Sequence, residues 1–380
     1  MDKKGHFAKV SSIKLQIMHE FCIKDMNMKI LVTGNMGYIG PCVIKHLRLS
    51  YPSATLMGFD IGYFGNCITS QDVLPECYLD HQYFGDIRLF SENILNDVDT
   101  IVHLAGISND PMGNQFEKVT LDINHQASIN LAKIAKKKGI KTFVFASSCS
   151  IYGAADDSPK KENSPLNPLT AYAKSKVSTE RDLEPLADEK FKVTCLRFAT
   201  ACGMSDRLRL DLVLNDFVAG AVTSKKIRIL SDGSPWRPLI NIKDMARAID
   251  WAINRDYENG GAFIVVNIGS TRWNCQVKDL AEAVAKAIPD VEISINKDAQ
   301  PDKRSYRVNF DLFRRIAPDH QPKYDLMTTI KELKNGLEAM SFNDKNFHNS
   351  RLMRLKVLND LRDRGLLNNE LQWVKKTAYT

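Results

Sequence analysis

Residues 29–40 read KILVTGNMGYIG, an apolar run that ends in three glycines, Gly34, Gly37 and Gly40, at G-x-x-G-x-x-G spacing. The run is short and strand-like, and the residues that follow, from about Tyr38 to Leu49, have helical apolar spacing, so the glycines fall in a strand-to-helix turn. In such a turn the first glycine permits a tight bend, the second lets backbone approach a pyrophosphate, and the third lets helix and strand pack closely. The anion then sits on the helix N-terminus, where free N–H groups and the dipole favour it. Gly34, Asn35, Met36, Gly37, Tyr38, Ile39 and Gly40 are therefore candidate cofactor-binding residues.

Outward from this turn, strand-like runs at Lys29–Val32, Thr55–Phe59, Thr100–Leu104 and Thr142–Ala146 alternate with helical stretches, including one from about Asn124 to Lys138. Alternation of this kind predicts an α/β fold, a Rossmann-like doubly wound parallel sheet with helices on both faces. Asp60 closes the second strand twenty residues beyond Gly40. A carboxylate there accepts hydrogen bonds from an adenine-ribose diol and repels a 2′-phosphate, which favours NAD over NADP. A solvent-facing cap is the plainer alternative for Asp60. Asp86 and Ile87 in GDIR, and Leu104, Ala105 and Gly106 in HLAG, lie at strand ends, where open α/β sheets place ligands. His103 reads as a packed strand residue.

At 380 residues, 44% hydrophobic and 26% charged, the composition is that of a globular protein. The formal charge of +7 is concentrated at the two ends: residues 1–27 and 341–380 supply six of the seven positive charges, so no nucleic-acid groove through the body is indicated. The Lys133–Lys141 cluster reads as a solvated helix face. No run of 18 apolar residues and no secretory signal is found, which places the chain in the cytoplasm and off the membrane. Eight cysteines without a C-x-x-C pair read as reduced structural thiols, with no metal site.

After Gly203 the pattern changes: RLRLDLVLNDFVAGAV (207–222) reads as a helix, then comes strand-like KIRIL (226–230) and a turn-rich SDGSPWRP (231–238). The division that follows is a leader over 1–27, a Rossmann domain over 28–205, a mainly substrate-binding smaller C-terminal lobe over 206–340, and a helical extension over 341–380.

The remaining chemistry lies downstream of the apolar run FVFA, where residues 147–153 read SSCSIYG, and in AYAKSK, which puts Tyr172 and Lys176 at Y-x-x-x-K spacing. On a helix, residues i and i+4 share a face, so the cation sits beside the phenol. A free tyrosine has a pKa of about 10 and is a poor base until positive charge favours the phenolate. YxxxK by itself is also what an exposed helix pair looks like; the ordered series of glycine turn, acidic ribose reader, Ser-rich strand end and YxxxK is what lends it weight.

From about Met28 to Met340 the chain resembles the extended short-chain dehydrogenase/reductase family, in its nucleotide-sugar epimerase/dehydratase branch, through TGNMGYIG, Asp60, HLAG, SSCSIYG, YAKSK, LRFATACG and DGSPWRPLINIKD. The resemblance implies NAD as cofactor, Tyr172 as base and acid, Lys176 as the residue that lowers its pKa and binds the nicotinamide ribose, and Ser148, four residues before Tyr152, as the hydroxyl that positions the reacting oxygen. It implies that Asn124 supports the cofactor region. It further implies a nucleotide-diphosphate sugar held by the smaller lobe, with Arg237 in PWRP gripping the diphosphate and Ser108, Thr200, Arg207, Arg209 and Asn215 as substrate-contacting candidates, and a homodimer as the ordinary assembly. Asn241 stands where the family commonly has a histidine.

The family's dehydratases place Asp and Glu directly after the catalytic hydroxyl, and its decarboxylases keep a Glu nearby. Here those places hold Cys149 and Ser150. The expectation is an epimerase acting at C4 through a transient 4-keto sugar, ahead of a 4-ketoreductase or dehydrogenase with net redox. Further behind come dehydration, a non-sugar alcohol as substrate, and a binding protein that has lost the chemistry.

Overall fold

The computed structural model describes residues 28–70, 72–154, 158–296, 299 and 304–374; the leader over 1–27, with Cys22, lies outside the described residues. The strands are β1 (Lys29–Thr33), β2 (Thr55–Asp60), β3 (His81–Phe84), β4 (Thr100–His103), β5 (Thr142–Ser148), β6 (Lys192–Phe198), β7 (Thr200–Cys202), β8 (Lys226–Ile229), β9 (Trp236–Asn241), β10 (Phe263–Ile268), β11 (Asn274–Gln276) and β12 (Glu292–Ile295). The longer helices are α1 (Gly40–Ser50), α2 (Ser128–Lys137), α3 (Ala171–Leu183), α4 (Val213–Ser224), α5 (Ile242–Asn254), α6 (Val277–Ala287), α7 (Leu326–Ala339) and α8 (Arg354–Asp363).

Seven strands form one sheet in the order β3-β2-β1-β4-β5-β6-β10, every pair parallel. Ile30, Leu31 and Val32 are fully enclosed because helices cover both faces, which is why the strand reads as a continuous apolar run rather than an alternating one. The chain leaves β1 toward β2 on one side and returns through β4 on the other. That reversal opens a crevice at the carboxyl ends of the strands, where doubly wound folds bind ligands.

Two smaller sheets complete the strands, a three-stranded one, β11-β9-β7, whose β7 comes from within 28–205, and a two-stranded one, β12-β8. The chain crosses between units more often than its linear pattern implies: β10, the seventh strand of the main sheet, comes from within 206–340. The stretch 207–222 is helical only from Val213 onward, a correction to the reading of RLRLDLVLNDFVAGAV. In 207–212 backbone donors go outside the segment, Leu208 N to Thr69 Oγ at 3.1 Å and Leu210 N to the Leu352 carbonyl at 2.9 Å, and Leu208 and Leu210 are buried at a spacing of two. All four residues from Arg207 to Leu210 are buried, which a helix with one outward face would not give, and the helix starts only after these outward backbone bonds end.

His103 is 1% exposed beneath the sheet's carboxyl end, with Nδ1 2.6 Å from Thr33 Oγ and Nε2 2.7 Å from Ser128 Oγ. Burial drops its pKa from 6.5 to about 3, so the folded ring stays neutral while an unfolded chain protonates first. Its contribution to stability is therefore complete above pH 6.5 and is lost as pH falls toward 3, by at most about 1.4 kcal/mol per unit. His103→Gln is expected to be less stable than wild type in urea at neutral pH, with the gap narrowing on acidification to about pH 5. A gap that stays constant with pH would refute this.

The seven described cysteines are free. Among the described residues no helix is long and apolar enough to cross a membrane, and no cluster of metal-ligating side chains occurs.

Candidate active site

A cleft of about 770 Å³ runs along the carboxyl ends of the strands and between the two lobes. Ligand pockets fall between about 300 and 1,000 Å³, so this one has the size for extended ligands. One end is the glycine turn. A Cβ on Gly34, whose φ is +74°, would come 2.5 Å from Ala105 N, and one on Gly40 would come 2.1 Å from the Asn35 carbonyl oxygen. A Cβ on Gly37 would meet only the Gly34 oxygen, at 3.2 Å, and Gly37 borders the cleft. Two glycines thus close the turn, and the third leaves backbone bare where a pyrophosphate would approach.

Asp60 borders the same end. Its Oδ2 accepts from Met36 N at 2.9 Å and its Oδ1 from Gly62 N at 2.7 Å, while burial raises its pKa. A carboxylate has about four lone-pair positions, so two remain for a ribose diol. Asp86 faces the cleft but is bound by its neighbour Arg88, with Nη2 to Oδ2 at 2.6 Å. Ile87, Leu104, Ala105 and Gly106 form apolar wall. These features fit NAD: a bare glycine cradle, an acidic ribose site and an apolar floor.

Five candidates named from the sequence do not border the cleft. Asn35 is fully buried, donating to Gln82 Oε1 at 2.6 Å, and Met36 serves through its N–H on Asp60. Asn124 clamps Ile107 from below, donating to its carbonyl at 2.9 Å and accepting its N–H at 2.7 Å, and so fixes the HLAG loop. Arg207 pairs with Glu76 at 2.8 Å. Asn215 bonds to Gly203 N, the Arg209 carbonyl and the Tyr38 hydroxyl. Each is committed to protein partners because a polar group this deep needs them. Asn241, at the departure from the family's histidine, caps α5 by accepting from Lys243 N at 2.9 Å.

At the centre of the cleft stand Ser148, Tyr172 and Lys176. Ser148 ends β5 and accepts from Ser150 N at 3.1 Å, which points SSCSIYG into a 3-10 turn. Thr170 caps α3 by accepting from Ala173 N at 3.2 Å, and donates to Asp110 Oδ1 at 2.6 Å. The α3 start lies so close to its neighbour that a Cβ on Gly113 would sit 3.1 Å from Tyr172 N. Burial pushes the Tyr172 phenol up to about 12, offset in part by the Ser148 side chain. Lys176 is pulled down to about 8 by burial, against the support of Glu180, one further turn along α3. Its Nζ donates to the Ala146 carbonyl at 2.7 Å and lies 5.7 Å from the Tyr172 ring centre. The lysine is thus fixed near the phenol without touching it.

Ser108, Thr200, Arg209 and Arg237 also border the cleft. Arg209 spans the two lobes, pairing with Asp211 at 2.6 Å and donating to Ser108 Oγ at 2.9 Å. Arg237 donates to the Trp236 carbonyl at 2.9 Å. Sequence reasoning missed Arg304 and Tyr306, which also border the cleft, with Arg304 3.0 Å from Asp110. They come from a stretch without a motif. It also missed His348, Met353 and Arg354, from the region read only as an extension.

The fold and the site together define an NAD-dependent enzyme of the extended short-chain dehydrogenase/reductase type. The model of the NAD dependent epimerase/dehydratase family matches residues 30–269, and the chain belongs to that family. UDP-glucose 4-epimerase 2 of Oryza sativa subsp. japonica is 30% identical over 330 residues, covering 74% of this chain and 78% of that protein. UDP-glucose 4-epimerase of Lacticaseibacillus casei is 28% identical over 246 residues, 59% of this chain and 70% of that one. Among solved structures, the NAD-dependent NDP-hexosamine 5,6-dehydratase TunA of tunicamycin biosynthesis superposes with a TM-score of 0.71 at 23% identity, covering 84% of this chain and 99% of that one. At that identity the likeness concerns the fold.

Proposed function

We propose that this chain is a nucleotide-sugar epimerase acting at C4 through a transient 4-keto sugar. One observation supports the choice over elimination: among the described residues, every carboxylate bordering the cleft has a partner. Asp60 takes backbone N–H groups, Asp86 takes Arg88, Asp110 takes Thr170 and Arg304, Asp211 takes Arg209, and Asp216 takes His348 at 2.6 Å. Directly after Ser148, the buried Cys149 donates its thiol to the Arg197 carbonyl, and burial raises its pKa, so it is a packed group and no acid. Ser150 offers a hydroxyl. Elimination of water from the sugar needs an added acid and base, and among the described residues no unpaired carboxylate borders the cleft to serve as one. The epimerase names of the rice and Lacticaseibacillus relatives agree with this reading.

In the proposed cycle Ser148 holds the C4 oxygen and Tyr172 takes its proton, the general base within reach of the substrate. NAD, which the glycine turn and Asp60 would hold, would supply the hydride acceptor and donor for C4. Lys176 keeps positive charge beside the phenol. Inversion requires the keto sugar to present its other face before Tyr172 returns the proton. Arg237, Arg304 and Arg209 suit the diphosphate, anchoring one end of the substrate while the hexose turns.

The test is incubation of purified protein with a panel of sugar nucleotides, followed by chromatography. Interconversion of two epimers without accumulation of NADH absorbance is expected. Stoichiometric NADH release, or loss of water from the sugar, would sink the reading.

A further inference from the structure

The last described segment is not a peripheral tail. It ties itself to both loops that follow the strands at the ribose end of the cleft. Tyr63 Oη bonds to the Leu371 carbonyl, Trp373 Nε1 donates to the Ile61 carbonyl at 2.8 Å, and Arg88 Nη1 donates to the Glu370 carbonyl at 2.8 Å. Ile61 and Tyr63 border the cleft. The family model ends at residue 269, so nothing in that match accounts for this segment.

Its start carries an unusual side chain. Arg354 is 1% exposed and borders the cleft at the first residue of α8, whose N-terminal end has no side-chain cap. The guanidinium lies 4.6 Å from the ring centre of Phe64, and Nη2 donates to the Arg207 carbonyl at 2.6 Å. Nη1 is buried with no hydrogen-bond partner, and no carboxylate pairs with Arg354 among the described residues. Its neighbours differ: Arg207 is matched by Glu76, and Arg209 by Asp211. Burial lowers the Arg354 pKa to about 10, which leaves the group charged at neutral pH. A buried, unmatched charge costs several kcal/mol, so a protein that retains one at a ligand cleft gains by pairing it with a ligand.

The location selects the ligand end. Phe64, against which Arg354 stacks, precedes Gly65, and a Cβ on Gly65 would sit 3.4 Å from the Met36 methyl in the glycine turn. Arg354 therefore borders the cleft beside the loop that packs on the glycine turn, with Arg207, Arg209 and Asp211 as its nearest charged neighbours.

We propose that the C-terminal segment is part of the cofactor site, with Arg354 supplying the positive charge that compensates the pyrophosphate of bound NAD. The uncapped end of α8 adds its dipole in the same sense. The proposal depends on NAD dependence alone and stands whichever sugar reaction the enzyme performs.

The test compares wild type with Arg354→Met and Arg354→Lys. Retained NAD is read by native mass spectrometry, and NAD and UDP are titrated separately by calorimetry on NAD-free protein. R354M is expected to weaken NAD binding by at least about tenfold, the loss of one charge-assisted interaction. UDP binding should change by less than about twofold, and R354K should recover most of the NAD affinity. NAD-free R354M should melt no lower than wild type, because an unmatched buried charge has been removed. Unchanged NAD affinity would overturn the proposal. So would weaker UDP binding alone, which would assign the charge to the substrate diphosphate. A lowered melting temperature with NAD affinity lost equally in R354M and R354K would indicate a packing role and overturn it too. If R354M does not fold, R354Q, a shorter neutral donor, takes its place with the same expected and overturning results.

Discussion

Tyr172→Phe is expected to leave a folded protein that retains NAD and turns over about 10³-fold more slowly. The reasoning begins with the phenol. Burial holds it at about 12 without ligand, and only the Ser148 side chain and more distant charges counter that. The hydroxyl earns no place in the core network, so removing it costs little stability. It is also the group placed with Ser148 at the centre of the cleft, so its removal takes away the proton acceptor. Circular dichroism and NAD content should match wild type while chromatography shows epimerisation lost. A phenylalanine variant that kept more than about a tenth of the activity would remove Tyr172 from the mechanism.

Glu180→Ala is expected to destabilise the protein by about 3–5 kcal/mol, because Arg197 is left buried and unpaired. Both side chains are 5% exposed, and the pair is bidentate, with Nη2 to Oε2 at 2.7 Å and Nε to Oε1 at 3.0 Å. Ser147 also donates to Oε1 at 2.5 Å, and Arg197 Nη1 donates to the Tyr152 hydroxyl at 3.0 Å. The pair thus holds the SSCSIYG turn against α3, the helix of Tyr172 and Lys176. Denaturant midpoints read the loss, and a second substitution, Arg197→Met, should return much of it, since an apolar pair avoids the stranded charge. Glu180 also raises the Lys176 pKa. Its removal should move the alkaline limb of the activity profile to lower pH, because Lys176 then loses its proton sooner. A variant as stable as wild type would show that the charge is hydrated or paired elsewhere.

The parts of the site that are contiguous in sequence were legible before the structure. The glycine turn, the strand-end Asp60 and the Y-x-x-x-K pair each follow from a local period: a strand that stops, a helix that starts, or two side chains one turn apart on one face. Ser148 was singled out from its serine-rich stretch by the family resemblance, through its offset of four residues before Tyr152, and not by a local period. The parallel sheet was legible from alternation of buried runs with helical stretches, although its seventh strand, Phe263–Ile268, lies far from the first six and was assigned to the other lobe.

The distinctions among polar side chains of the same kind were not legible. Arg207 and Arg209 read alike in RLRLD, yet one is turned to Glu76 and the other reaches across the cleft to Ser108. Asn215 read as a substrate contact and Asn124 as a support of the cofactor region, and both are found holding backbone groups, of Gly203 and Ile107. Their partners lie 17 and 12 residues away, which no helical or strand period relates. The helix read over 207–222 failed likewise, because backbone donors at Leu208 and Leu210 were drawn to Thr69 and Leu352.

By itself, the sequence determined the class of fold and located the glycine turn, the serine-rich strand end and the Y-x-x-x-K pair, because these depend on short-range geometry that residue order dictates. Only the tertiary structure decided which charges are matched. Arg354 stands 147 residues from the arginine whose carbonyl it binds, and 290 from the ring it stacks on. Whether a buried cation meets a carboxylate or is left for a ligand depends on how distant segments pack, and among the described residues the packing leaves Arg354 without one at the edge of the cleft.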